Sequence, residues 1–284
     1  MKKVLTAVLA CILAVAAIGF AACGKEGKKE GTAIVKDLVL VRETYGIAGR
    51  KEDKAFISEI NDALIAIRGE GCKSVAEKYG LTSELAITDE TVNPLAGAAD
   101  DSWEKIKASG KIIVGYTVYA PIAFTDDKGE FVGFDTDLAK EVVKYLNQKY
   151  SLDIKLEFQV ITWSAKETNL ADGTIDLIWN GLTITDDRKE NMCISVPYLY
   201  NNQVAVIRKA DEGKYTKDTA TFANAVVGAE KGSAGEEVID AKKLGKEKMV
   251  YPSQLEAFNQ LKAGSVDIVV IDSVMANYYI NANA

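Results

Sequence analysis

The segment Thr174-Ile-Asp-Leu-Ile-Trp-Asn-Gly-Leu-Thr-Ile-Thr-Asp-Asp-Arg188 carries a buried strand, a glycine turn and a helix start in one run. Ile175–Trp179 is short and almost wholly apolar, as a strand covered on both faces must be. Asn180-Gly181 ends that run, and Gly181 allows close approach of the backbone. Thr183 and Thr185 bring hydroxyls just beyond it. Thr185 suits the N-cap of a short helix, which puts Arg188 in the first turn. Ligands of open α/β sheets sit at the carboxyl ends of strands. An arginine there can hold a carboxylate through two parallel hydrogen bonds, or it can be a surface residue paired with Asp186 or Asp187.

Outward from this segment, strand and helix signals alternate from Ala33 onward, which predicts an α/β fold. Leu38–Leu40 and Tyr45–Ala48 read as extended. Lys54–Arg68 reads as a helix with Phe56, Ile60, Leu64 and Ile67 on one stripe. Cys72–Tyr79 is a second helix, and Asp101–Glu104 starts a third. Lys111–Tyr116, Gln203–Arg208, Ala225–Ala229 and Val266–Ile271 read as strands, Asp135–Lys149 and Ser273–Ile280 as helices. Capping boxes are expected at Ser164–Glu167, Ser233–Glu236 and Ser253–Glu256. The continuous apolar run Val266–Ile271 suggests a parallel sheet.

Three further places carry chemistry. Val226 to Gly235 is a strand, a glycine turn and a helix N-terminus, where backbone N–H groups near Ser233 and Ala234 favour an anion. It lacks the nucleotide-binding glycine patterns. Asp272 follows a buried strand and can cap the next helix or bind a cation. Tyr119 and Trp163 each follow a strand and can wall a pocket or pack in the core. Together these groups suit a zwitterionic α-amino acid.

The 284 residues hold 34 Lys+Arg, 41 Asp+Glu and no His, with 48% apolar residues. The acidic balance argues against nucleic-acid binding. The lack of His excludes His-based triads and the usual catalytic zinc sites. Lys2-Lys3, the apolar run Val4–Ala22 and Phe20-Ala21-Ala22-Cys23 read as an export signal ending in a lipobox-like motif. Residues 1–22 would be removed and Cys23 lipidated. That leaves 262 residues with 32 Lys+Arg against 41 Asp+Glu, and a glycine-punctuated, charged tether over 23–32. Cys72 and Cys193 are expected as packed, unpaired thiols, with a disulfide as the alternative.

Phe131-Val-Gly-Phe-Asp-Thr-Asp-Leu138, Thr174–Thr185 with Arg188, and Ser195-Val-Pro-Tyr198 closely resemble the polar-amino-acid solute-binding proteins of ABC importers. The resemblance runs in order from Gly115 to Ile280. It implies a two-lobed periplasmic-binding-protein-like II fold with the ligand in a cleft between the lobes. It also implies that Arg188 holds the α-carboxylate, helped by Thr183 and the N–H of Ala234 in the turn with Ser233. Asp272 would hold the α-ammonium with Thr183 and the Asn180-Gly181 turn, while Tyr119 and Trp163 flank the ligand. Tyr116, Ile122 and Glu230 depart from common family residues, and all three are expected at the side-chain end of the pocket.

The family normally ends in a segment like Tyr45–Gly80. Here that segment stands first, and the chain reaches Tyr278–Ala284 where the family would continue into it. The order resembles a circular permutation, with lobe 1 over 33–201 (33–90 plus 100–201) and lobe 2 over 202–284; the alternative is a truncated binding protein preceded by an unrelated helical segment. Ala33–Lys36 would then lie beside the hinge as a short strand. The expected protein is a monomeric, lipid-anchored, extracytoplasmic receptor that captures an α-amino acid for an ABC permease. No catalytic group, metal or cofactor is expected. A dehydratase-type enzyme or a sensor domain on the same fold are the alternatives.

Overall fold

The computed structural model of the chain describes residues 31–282. The export signal, Cys23 and nearly all of the tether lie outside the described residues. In chain order the strands are β1 (Thr32–Ile34), β2 (Val41–Arg50), β3 (Lys111–Tyr116), β4 (Phe124–Thr125), β5 (Phe131–Val132) and β6 (Lys155–Val160). There follow β7 (Leu177–Thr183), β8 (Met192–Ile194), β9 (Leu199–Arg208), β10 (Val226–Glu230), β11 (Glu247–Tyr251) and β12 (Ile268–Asp272). The ten-stranded main sheet runs β11-β10-β12-β9-β2-β7-β3-β6, with β1 on β9 and β8 on β2. The pair β4–β5 stands apart as a hairpin.

The sheet is mixed, and this corrects the expectation of a parallel one. Its two ends are parallel: β3 with β6 and β7, and β10 with β11 and β12. Its middle is antiparallel, built on β9. The first half of β9, Leu199–Gln203, pairs with Tyr45–Val41 of β2, and the second half pairs with β12 and β1. Gln203 is therefore opposite both Val41 and Asp272.

The longer helices cover the sheet: α1 (Lys54–Ala66), α2 (Glu70–Tyr79), α3 (Ser102–Ser109) and α4 (Phe134–Tyr150) at one end, with α5 (Lys166–Ala171) and α6 (Asp186–Asn191) beside β7. At the other end are α7 (Ala234–Lys242), α8 (Gln254–Ala263) and α9 (Ser273–Ala282). The stripe Phe56, Ile60 and Leu64 of α1 is buried, and α1 packs on α3, α4 and β2. Since β2 pairs with β7, the early segment shares its core with β3 and β7. Helix α9 touches β1. Cys72 and Cys193 are free and buried, and burial pushes the Cys72 thiol up to about 12.

Several local expectations need correction. Leu38–Leu40 is not a strand. The backbone pairs earlier, at Thr32–Ile34, so Thr32 belongs to β1 rather than to the tether. The strand expected at Ile175–Trp179 extends to Thr183, because β2 supplies partners for Leu182 and Thr183. Ser164 is no N-cap: Trp163–Ala165 tightens into a 3-10 turn and α5 starts after Ala165 without a side-chain cap. The other two boxes form, with Ser233 Oγ accepting from Glu236 N and Ser253 Oγ from Glu256 N. Strand β11 had no apolar pattern to mark it, because Glu247–Val250 are exposed at the sheet's edge.

Gly133 fixes how α4 meets the sheet. Its φ is 139°, and a Cβ there would stand 2.1 Å from the Ile122 carbonyl oxygen. The loop cannot retreat, since Phe134 N donates to Pro121 O and Asp135 N to Ile122 O. Gly133→Ala should lower stability by on the order of 3 kcal/mol, from backbone strain plus overpacking. Urea unfolding followed by circular dichroism checks this; a midpoint equal to that of the unaltered protein would contradict it.

Candidate functional site

The carboxyl ends of the parallel strands converge on one pocket. Thr117 and Tyr119 follow β3, and Trp163 follows β6. Asn180, Gly181 and Thr183 end β7, while Glu230 and Asp272 are the last residues of β10 and β12. Arg188 of α6, Ser233 and Ala234 at the start of α7, Gln203 of β9 and Gln254 of α8 complete the wall. All nine positions singled out from the sequence therefore line the same pocket. It is narrow, with an inner space of about 10 Å³, at the lower edge of the roughly 10–15 Å³ that one water needs on the same measure.

Arg188 is 3% exposed. Thr185 caps its helix by accepting from Arg188 N, as the sequence suggests. The guanidinium donates through Nη1 to Thr183 O at 2.8 Å and through Nη2 to Glu237 Oε1 at 3.1 Å. This overturns the surface pairing with Asp186 or Asp187; Asp186 binds Lys189 instead. The Glu237 contact joins α6 to α7.

Asp272, also 3% exposed, does not cap α9. Its Oδ1 accepts from Asn201 Nδ2 at 2.7 Å and from Gln203 Nε2, and its Oδ2 from Gln254 Nε2. Asn201 Oδ1 serves the helix start, accepting from Val274 N and Ser273 Oγ. Tyr119 shares a 2.9 Å hydrogen bond with Tyr45 across the pocket floor. Trp163 lies under Lys166 Nζ, 5.0 Å from the ring centre. The Ser233 hydroxyl is committed to its cap and to Glu230 O.

Three buried polar atoms of the wall have no hydrogen-bond partner among the described residues: Asn180 Nδ2, Gln203 Oε1 and Glu230 Oε1. Buried polar groups are almost always paired, so such a cluster needs a reason. Carboxyl groups crowd here. Burial first, then Asp272, raises the Glu230 carboxyl far above its usual range. The same two causes raise Glu43, whose Oε1 accepts from Asn201 and Gln203. Burial and then Arg188 lower Lys166 to about 8.

Of the three departures noted in the sequence, Glu230 alone lines the pocket. Tyr116 packs at a tilt on Phe131 and edge-on to Phe158, and Ile122 is in the core. The sequence did not mark Thr117, Gln203, Gln254, Glu43 or Glu237. Amide and hydroxyl side chains have no spacing signature, although the Ser253 capping box did place Gln254 at a helix start.

Residues 112–237 match the model of the bacterial extracellular solute-binding proteins, family 3. The chain is 34% identical to an ABC uptake transporter substrate binding protein from Streptococcus pneumoniae solved with bound histidine, at a TM-score of 0.58 over 64% of this chain and 74% of that one. This chain belongs to that family. It is 27% identical to the L-cystine-binding protein of Escherichia coli (strain K12) over 61% of this chain and 62% of the relative's length. It is 23% identical to the cyclohexadienyl dehydratase of Pseudomonas aeruginosa over 63% of this chain and 65% of the enzyme. Family membership gives the chain the family's two-lobed α/β fold, and the chain spans less than two thirds of the length of the curated relatives it matches first. Among the described residues no helix is long and apolar enough to cross a membrane.

Asp135 supports the pocket from beneath. Its Oδ2 accepts from Gly181 N and from the Tyr198 hydroxyl, both at 2.8 Å. Burial pushes its carboxyl up to about 7, against an ordinary 3.8, although both hydrogen bonds oppose this. Between those values the folded chain keeps a proton that the unfolded chain has lost. Stability should therefore fall as pH rises from about 4 to 7. Asp135→Asn keeps the acceptor oxygen and removes the titration. The variant should lose a slope of at most about 1.4 kcal/mol per pH unit. Urea unfolding at several pH values checks this; identical slopes would contradict it.

Proposed function

We propose that the pocket captures one free α-amino acid and that the protein delivers it to an ABC permease. The observation that carries this is the pairing of Arg188 and Asp272, opposite in charge, each 3% exposed, on the wall of the same pocket. The ligand carboxylate would take the guanidinium edge now held by Glu237, with the N–H groups at the start of α7 assisting. Its ammonium would meet Asp272 and Thr183, and Tyr119 and Trp163 would flank it. An inner space of about 10 Å³ admits no amino acid, so capture requires the two ends of the sheet to separate and close again.

Two lobes, 33–201 and 202–284, are part of this reading, as is the permuted order. Support for the permutation comes from the family match beginning at Ile112, from Tyr45–Gly80 packing with β7 and α4, and from α9 reaching β1. One observation favours a dehydratase-type second reading: Glu230 is a carboxyl buried in the pocket whose proton affinity burial raises, the direction a general acid needs. The binding reading requires the ligand to be recovered chemically unchanged.

Arg188→Ala should fold and lose amino-acid affinity by roughly 30-fold to several thousand-fold, as expected when a buried charge loses its partner. Isothermal titration checks this, and an unchanged affinity would refute the pocket assignment. We also propose that lipid on Cys23 holds the protein at the outer face of the cytoplasmic membrane. Cys23→Ala should move it from the membrane fraction to the soluble extracytoplasmic fraction; a variant that stays membrane-bound would indicate an uncleaved anchor.

A further inference from the structure

We propose that Glu230 makes this pocket select an amino acid whose side chain ends in a cationic nitrogen group: a guanidinium, an ammonium or an imidazolium. The inference rests on the amino-acid reading above and concerns the end of the ligand which that reading leaves open. Arg188 and Asp272 match the carboxylate and ammonium that every α-amino acid carries. Glu230 is left over. It is the last residue of β10, 3% exposed, and faces the same pocket. Its Oε1 is buried without a hydrogen-bond partner among the described residues.

The protein does not neutralise this carboxyl itself. Lys166 is the cation whose field reaches it. However, Lys166 Nζ is engaged elsewhere, donating to Gly232 O at 3.2 Å and resting over the Trp163 ring. No ion pair joins Lys166 to Glu230 among the described residues. Asp272 adds a second carboxyl group to the same wall, and Glu43 lies behind it, bound to the Asn201 and Gln203 amides that also hold Asp272. A buried carboxyl without a partner is costly, and a cation that brings its own N–H donors removes that cost. A neutral amide satisfies the hydrogen bond without the charge. An acidic side chain brings a third carboxyl group to this wall and is rejected.

The test is isothermal titration of the folded protein with L-arginine, L-lysine, L-histidine, L-glutamine, L-cystine and L-glutamate, each alone. At least one of the first three should bind about tenfold or more tightly than any of the last three. Glu230→Gln should weaken that cationic ligand by about 30-fold or more, with glutamine binding changed much less. If a neutral or acidic amino acid binds the unaltered protein as tightly as the best cationic one, the selection by Glu230 is refuted while the amino-acid reading stands. The selection is also refuted if the preference survives unchanged in the Gln variant. If none of the six binds, the amino-acid reading falls as well.

Discussion

Asp272 is a carboxylate buried at the end of β12, and three amide side chains rather than a cation hold it. Asn201 and Gln203 come from β9, Gln254 from α8. A buried acid without donors would carry a large desolvation penalty, so β9, β12 and α8 must meet at this residue in one arrangement. The register of β9 follows, because Gln203 is opposite Asp272 on one side and Val41 on the other. The antiparallel seam of the sheet and the floor of the pocket are thus set at the same place.

From that seam the sheet extends both ways into parallel ends whose carboxyl termini face each other across the pocket. Charge is distributed unevenly between the two faces. Arg188 stands on the β7 side, while Glu230, Asp272 and Glu237 stand on the other. The Arg188–Glu237 contact bridges the faces in the closed form. A ligand carboxylate would substitute for Glu237 rather than bind beside it, so closure without ligand and closure with ligand use the same guanidinium. In the proposed function the arginine would be both a recognition group and a latch.

Much of this was legible in the sequence. Apolar runs located β3, β9, β10 and β12, and the Phe56–Leu64 stripe located α1. The motif around Thr174–Arg188 led to the pocket, and the nine proposed contact residues and Glu230 line it, whereas Tyr116 and Ile122 do not. What escaped has physical reasons. Strand β11 is an exposed edge and lacks an apolar face. Ser164 has a capping sequence, but the Trp163 side chain must pack inward, and the 3-10 turn that achieves this moves the helix start. The amides around Asp272 and the Glu237 latch are contacts between residues far apart in the chain, and no local pattern reports them. The mixed sheet was hidden for a similar reason: a buried antiparallel strand such as β9 reads the same as a parallel one.

The central claim is that Arg188 and Asp272 grip the two ends of an amino acid inside this pocket. A crystal structure of the protein grown with a bound amino acid tests it most directly. The account predicts the ligand carboxylate on the Arg188 guanidinium and the Ala234 N–H, with Glu237 displaced, and the ammonium on Asp272. A ligand seated elsewhere, or Arg188 still bound to Glu237 with the ligand in place, would contradict it.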